Sequence, residues 1–466
     1  MSLGRCSFTP VTDVGIGAIE LYFPQNYVEQ SDLEEYNNIP SGKYTIGLGQ
    51  QQMGFCSDNE DVVSISLTVT RQLLQTYKIP TDSIGCLVVG TETMIDKSKS
   101  VKTALMDLFP DNSDIEGVDI KNACFGGAQA LLHAIDWVTV NHPVDKKNAI
   151  VVIADIAIYE DGPARCTGGA GAIAFLICPN ATIPIDRQFS ACHMKNTWDF
   201  FKPITATASE YPVVDGSLSL ASYLEAVRQT YTHFMEKVAR HVTGIDGLNS
   251  FDAVFFHSPF TKMVQKGLAV MNYTDSHLRH KDQNGNGVEN KLDANDRAGM
   301  TRMIELSSEV WKNKTDPYLV FNRRIGNMYT PSLFAQLLAY LASDKCTTEE
   351  HNILFFAYGS GLASAIFPGR VRQTPNLEKI RDVAKQCIKR LDSRQQFSAE
   401  EFTKTLKKRE NFLHSNEFPK VPKTSSESSL FPNTYFLDNM DELYRRTYTL
   451  HEEPTKVLSN GNGIHH

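Results

Sequence analysis

Cys124 stands in the run Asn122-Ala-Cys-Phe-Gly-Gly127, directly ahead of an amphipathic helical pattern over residues 128–138. A thiol at a helix N-terminus meets unpaired backbone N–H groups and the positive end of the helix dipole. Both favour the thiolate, and Gly126 and Gly127 let backbone and substrate approach it closely. Most cysteines before helices are only small buried hydrophobes, but no other cysteine here combines a helix start with adjacent glycines. Glu92, in Gly90-Thr-Glu-Thr93, follows the apolar run 84–89. A carboxylate at a strand's C-terminal end, where open α/β sheets place ligand sites, can serve as a base, although a solvated loop acid is the plainer reading. His257, in Phe256-His-Ser-Pro-Phe260, ends the matching strand of the second half. A lone histidine is more often structural, yet one at the counterpart of a candidate base converges on the same site. Lys262 and Lys266, four apart on a helical pattern, share a face that could grip phosphates or simply face solvent.

These residues need a frame. The runs 84–89, 149–154 and 173–177 are short, continuous and apolar, as in strands buried on both faces of a sheet, with helical patterns between them. That alternation predicts an α/β protein. The second half repeats the order with a strand at 251–256, a helix at 332–341 and a strand at 353–356. Cys124 to Asp155 and Asn327 to Tyr358 are both steps of 31 residues, and glycine-led strands follow at 168–175 and 358–367. The halves read as a diverged repeat, with residues 13–180 carrying Glu92 and Cys124 and residues 181–451 carrying His257.

Length agrees with two halves, because 466 residues exceed one ordinary compact domain. With 41% hydrophobic and 21% charged residues the chain is neither disordered nor a disulfide scaffold. A net charge of −8 argues against nucleic acid or an anionic membrane as partner, so an anionic ligand must meet a local basic cluster. Nine cysteines, an odd number without metal-ligand spacing, point to a reducing compartment. Neither a targeting peptide nor an apolar run of eighteen is readable, so the expectation is a cytoplasmic protein without a membrane span.

Residues 275–297 read as an exposed polar insertion and 421–432 as a loop; residues 433–450 read as strand, turn at 438–441 and strand, leaving 452–466 as a free tail. Asp282, Asn284, Asn286, Gly287 and Asp293 fall at calcium-loop positions, but Asp replaces the usual final Glu and no helix pair is expected around them. No metal is therefore assigned.

Taken together, Gly90-Thr-Glu-Thr93, Asn122-Ala-Cys-Phe-Gly-Gly127, Thr167-Gly-Gly-Ala-Gly-Ala172, Tyr211-Pro-Val-Val-Asp-Gly216, His257-Ser-Pro259 and Gly326-Asn-Met-Tyr329 resemble the eukaryotic 3-hydroxy-3-methylglutaryl-CoA synthases, cytosolic type, over nearly the whole chain. The resemblance implies a thiolase-like fold, with two pseudo-symmetric βαβαβαββ halves in an α-β-α-β-α layered body, and a homodimer. It implies Cys124 as nucleophile, Glu92 as general base and His257 as the group that positions the acetoacetyl ketone. CoA or acyl contacts are implied at Ser41, Gly42, Lys43, Thr167, Ser219, Lys262, Lys266, Asn327 and Ser360. The substrates would be acetyl-CoA and acetoacetyl-CoA, feeding mevalonate and isoprenoid or sterol synthesis, with no further cofactor. Phe125, Pro163, Cys166 and Pro40 depart from the family's usual Tyr, Asn, Pro and acidic residue.

Two alternatives stay in view. A ketoacyl synthase of the type III kind would use a Cys-His-Asn triad, against which Glu92 argues. A non-catalytic acyl-CoA-binding relative would not need Glu92, Cys124 and His257 together.

Overall fold

The computed structural model describes residues 9–203, 210–284, 292–346, 349–414 and 429–452. Its body is two sheets of the same design. In the first, Ile84–Gly90 lies parallel to Asn148–Ala157; Gly169–Cys178 then runs antiparallel, and Gly15–Tyr22 antiparallel to that. In the second, Ala253–Phe256 lies parallel to His351–Gly359, followed by antiparallel Ala363–Val371 and Ala191–Met194. The repeat read from spacing is this shared strand order. Short strands at Asp119–Ile120 and Ile183–Pro184 extend the first sheet at its two edges.

The continuous apolar runs follow from burial on both faces. Cys86, Val88, Val151 and Ile153 point into a central core with Phe255 and Phe355 of the second sheet, whereas Leu87, Val89, Ile150 and Val152 point outward against helix Val62–Tyr77. Helices Gly126–Asp145 and Phe334–Ala342 fill the space between the sheets, and Leu131, Leu132, Ile135 and Val138 are all buried there. Helices Gly216–Ala239 and Thr261–Asn284 cover the outer face of the second sheet. The layers run helix, sheet, helix, sheet, helix. Because neighbouring parallel strands share a direction, Glu92, Cys124 and Asp155 fall toward the C-terminal ends of the first sheet's parallel strands, and His257 follows the equivalent strand of the second.

Part of the expected insertion is core structure. Helix Thr261–Asn284 runs through its first residues, and fully buried Asp275 accepts a 2.8 Å bond from the Tyr231 hydroxyl and an ion pair at 2.8 Å from Arg279. Asp275 and Arg279, which resembled loop residues, are partners of one another on this helix. Asp282 and Asn284 of the calcium-loop match are therefore helical; Asn286 and Gly287 lie outside the described residues. Most of the 421–432 loop and of the 452–466 tail also lies outside them. The late hairpin forms as Thr434–Met440 and Arg446–His451, with its turn after Met440 rather than at Asp438, because a bulge after Leu437 carries the first strand further.

Candidate active site

Cys124 follows Ala123, which adopts φ +45°, a conformation costly for a residue with a Cβ. The chain turns sharply there, two residues before helix Gly126–Asp145 begins. The glycine pair serves packing more than substrate access. A Cβ on Gly127 would lie 2.5 Å from the Ile153 side chain, and one on Gly126 would lie 2.7 Å from the Ile120 carbonyl oxygen.

The Cys124 Sγ donates to Glu92 Oε1 at 3.2 Å, and the Lys202 Nζ stands 3.3 Å from Glu92 Oε2. The ammonium also lies 4.5 Å from the centre of the Tyr329 ring, against which Phe200 and Tyr159 pack edge-on. Burial pushes the Glu92 carboxyl up from its ordinary value, Lys202 pulls it back, and Asp155 adds to the rise. The thiol is held well above its usual range, first by burial and then by the Glu92 charge. This corrects the expectation of a resting thiolate at a helix start. The sulfur is enclosed and faces a carboxylate 3.2 Å away, so it rests as a thiol whose proton has an acceptor in place.

Asp155 sets the position of that acceptor. Its Oδ1 accepts from the Glu92 and Thr93 backbone N–H groups at 2.8 and 2.9 Å and from the Thr91 and Thr93 hydroxyls, while its Oδ2 accepts from the Thr330 N–H and hydroxyl. One buried carboxylate thus ties the Glu92 turn to a loop of the second half.

His257 is only 2% exposed. Its ring stacks on Tyr358 with centroids 6.4 Å apart at 21°, and its carbonyl accepts from the Tyr223 hydroxyl at 2.8 Å. Tyr358 donates to Asp199 at 3.0 Å, and Asp199 also receives the Gly361 N–H at 2.9 Å and the Ser219 hydroxyl at 3.4 Å. Burial depresses the His257 pKa to about 3, so the ring is neutral and offers one N–H and one lone pair.

A cavity of about 510 Å³ opens beside Glu92 and Lys202, walled also by Asn122, Ala123, Phe200 and Ser360 among others; neither Cys124 nor His257 walls it. The remaining sequence candidates separate into groups. Thr167 and Asn327 adjoin, the Thr167 carbonyl accepting from the Asn327 N–H at 3.1 Å, and Asn327 Oδ1 is already engaged by the Tyr329 N–H and the Ser332 hydroxyl. Ser41, Gly42 and Lys43 belong to a turn held by the Glu34 carboxylate, which accepts from the Gly42 and Thr45 N–H groups at 2.8 and 2.9 Å. That turn docks on the start of helix Thr261–Asn284 through Lys262 N–H to the Leu48 carbonyl at 3.0 Å. Lys43, Lys262 and Lys266 thus belong to one structural unit, but none of them walls the cavity. Sequence reasoning missed Asp155, Asp199 and Lys202. Asp155 had a signal, since it is a charged residue directly after the apolar run 149–154, on a strand beside the one leading to Glu92. Lys202, in the aperiodic run Trp198-Asp-Phe-Phe-Lys202, had none.

The comparisons meet this geometry over the full length. Family models described as hydroxymethylglutaryl-coenzyme A synthase N terminal and C terminal match residues 10–182 and 183–451. The chain belongs to the hydroxymethylglutaryl-CoA synthase family. It is 83% identical to the hydroxymethylglutaryl-CoA synthase of Caenorhabditis elegans, with all of both chains covered. It is 42% identical to the cytoplasmic enzyme of Gallus gallus, covering 94% of this chain and 87% of that one, and 42% identical to the mitochondrial enzyme of Sus scrofa, covering 94% and 89%. Among solved structures, MvaS in complex with 3-hydroxy-3-methylglutaryl coenzyme A superposes with a TM-score of 0.80 at 25% identity, over 95% of this chain and 99% of that one. This member of the family shares that thiolase-like fold, and among the described residues no helix is long and apolar enough to cross a membrane.

Proposed function

We propose that this chain condenses acetyl-CoA with acetoacetyl-CoA and water to give 3-hydroxy-3-methylglutaryl-CoA and CoA, feeding mevalonate and isoprenoid synthesis, with Cys124 as nucleophile, Glu92 as base and His257 as the group that holds the acetoacetyl ketone. The observation that carries the first two roles is the 3.2 Å contact between the Cys124 thiol and the Glu92 carboxylate, which itself walls a cavity. Loss of the thiol proton frees the sulfur to attack the acetyl thioester, which expels CoA with that proton and leaves an acetyl-enzyme. Glu92 then takes a methyl proton, and the resulting enolate carbon attacks the C3 ketone. Neutral His257 offers a hydrogen bond to that oxygen as it gains charge, and the oxygen becomes the product's hydroxyl by taking up the proton that Glu92 removed. Water releases the product by cleaving the enzyme thioester.

In this reading Lys43, Lys262 and Lys266 meet the CoA phosphates, and Ser41, Gly42, Thr167, Ser219, Asn327 and Ser360 supply further CoA or acyl contacts. Residues 13–180 and 181–451 are its two halves, it acts as a homodimer, and its compartment is the cytosol, which the free cysteines favour. The test is product analysis with both thioesters. The parent should form 3-hydroxy-3-methylglutaryl-CoA, and Cys124→Ala should form none; product from Cys124→Ala would overturn the assignment.

A further inference from the structure

Among the described residues Lys202 is the cation in contact with the Glu92 carboxylate, and the proposed reaction gives it no part. Its side chain is about four-fifths enclosed, lying between the carboxylate and the faces of Phe200 and Tyr329 on the cavity wall. A lysine there pays desolvation unless its charge is used, and the carboxylate opposite is buried as well. The contacts divide the work of that carboxylate: Oε1 faces the thiol and Oε2 faces the ammonium. The base must be ionised before each proton it removes, yet Cys124, Asp155, Tyr159 and Tyr329 around it supply only neutral or negative groups. Glu210 also faces Lys202, and Asp96, Lys97 and Lys121 line the cavity farther out.

We infer that Lys202 is a positioning residue for the condensation, holding Glu92 ionised and directing Oε1 at the reacting atoms. This rests on Glu92 being the base. Its signature is a pH profile. An opposite charge within about 4–6 Å lowers a carboxyl pKa by about 1–3 units. Removing the ammonium should therefore raise the Glu92 pKa and move the acid limb of kcat up by a similar amount. Lys202→Arg keeps the charge and should leave the limb near the parent's position; Lys202→Met should move it, with little change in KM for either thioester at the pH optimum.

The experiment measures kcat and KM against pH for the parent, Lys202→Met, Lys202→Arg and Glu92→Gln, with near-ultraviolet circular dichroism to report folding. Should Lys202→Met fail to fold, the comparison is read between Lys202→Gln and Lys202→Arg. An upward shift of the limb in the uncharged variant, restored by Arg, supports the inference. An acid limb that stays in place while kcat falls equally at every pH overturns it, as does Arg behaving like Met. If Glu92→Gln retains condensation, the assignment of the base falls instead, which separates the two failures.

Discussion

The two halves build the same strand end and then equip it differently. After Ile84–Gly90 the chain presents Glu92 within 3.3 Å of both a thiol and an ammonium, with Asp155 bonded to its backbone. After the equivalent Ala253–Phe256 it presents a neutral imidazole stacked on a tyrosine, and the nearby carboxylate, Asp199, is already occupied by Tyr358, Ser219 and the Gly361 N–H. In the proposed reaction one strand end moves protons, and the other holds a polar oxygen without exchanging protons near neutral pH. A duplicated frame thus supplies a reacting half and a receiving half, and the charge on each follows from what touches it.

The largest break in that contrast should come from the reacting half. Cys124→Ser keeps size and hydrogen bonding but substitutes a far poorer nucleophile. Turnover should fall by on the order of 10⁴-fold or more, with no acetyl group trapped on the protein by mass spectrometry. In the receiving half, His257→Ala should leave acetylation of Cys124 intact and raise KM for acetoacetyl-CoA by about 10-fold, the value of one good hydrogen bond. An unchanged KM in steady-state kinetics would count against that role.

The contrast also appears in stability. His257 stays neutral in the folded chain down to about pH 3, whereas an unfolded histidine takes up a proton near its ordinary 6.5. Its folded pKa is depressed, so the unfolded state binds the extra proton between these values and stability is lost as pH falls below about 6.5. At pH 5 the penalty is about 2 kcal/mol. Relative to the parent, His257→Gln should gain roughly that much in urea unfolding on going from pH 7.5 to pH 5. The smallest effect belongs to the lysines proposed to meet the CoA phosphates. Lys266→Ala should raise KM for CoA thioesters a few-fold with little change in kcat, because a phosphate contact binds ground and transition states alike. Added salt should shrink that difference, and Lys312→Ala, on the separate helix Ser308–Lys314, should match the parent.

The frame was legible in the sequence because both sheets are buried on both faces, which leaves uninterrupted apolar runs such as 149–154. The repeat was legible because Cys124 to Asp155 and Asn327 to Tyr358 keep one spacing. Insertion limits were not, since Asp275 and Arg279 look solvent-bound until the fold pairs them with each other and with Tyr231. The charge state of Cys124 was misread for a related reason. Helix position is local, but the Glu92 that holds the thiol protonated arrives from a different strand. Lys202 needed three-dimensional contact to become visible at all.

The central claim is that Glu92 serves the condensation while Cys124 carries the acetyl group, and Glu92→Ala tests it most directly. Removing the carboxylate takes away a charge that raises the thiol pKa and leaves Lys202, which lowers it. After brief exposure to acetyl-CoA, peptide mapping of Glu92→Ala should find the acetyl group on Cys124, while adding acetoacetyl-CoA should yield product at a rate about 10²–10⁴-fold below the parent. Acetylation lost together with condensation, or condensation at the parent's rate, would contradict this division of labour.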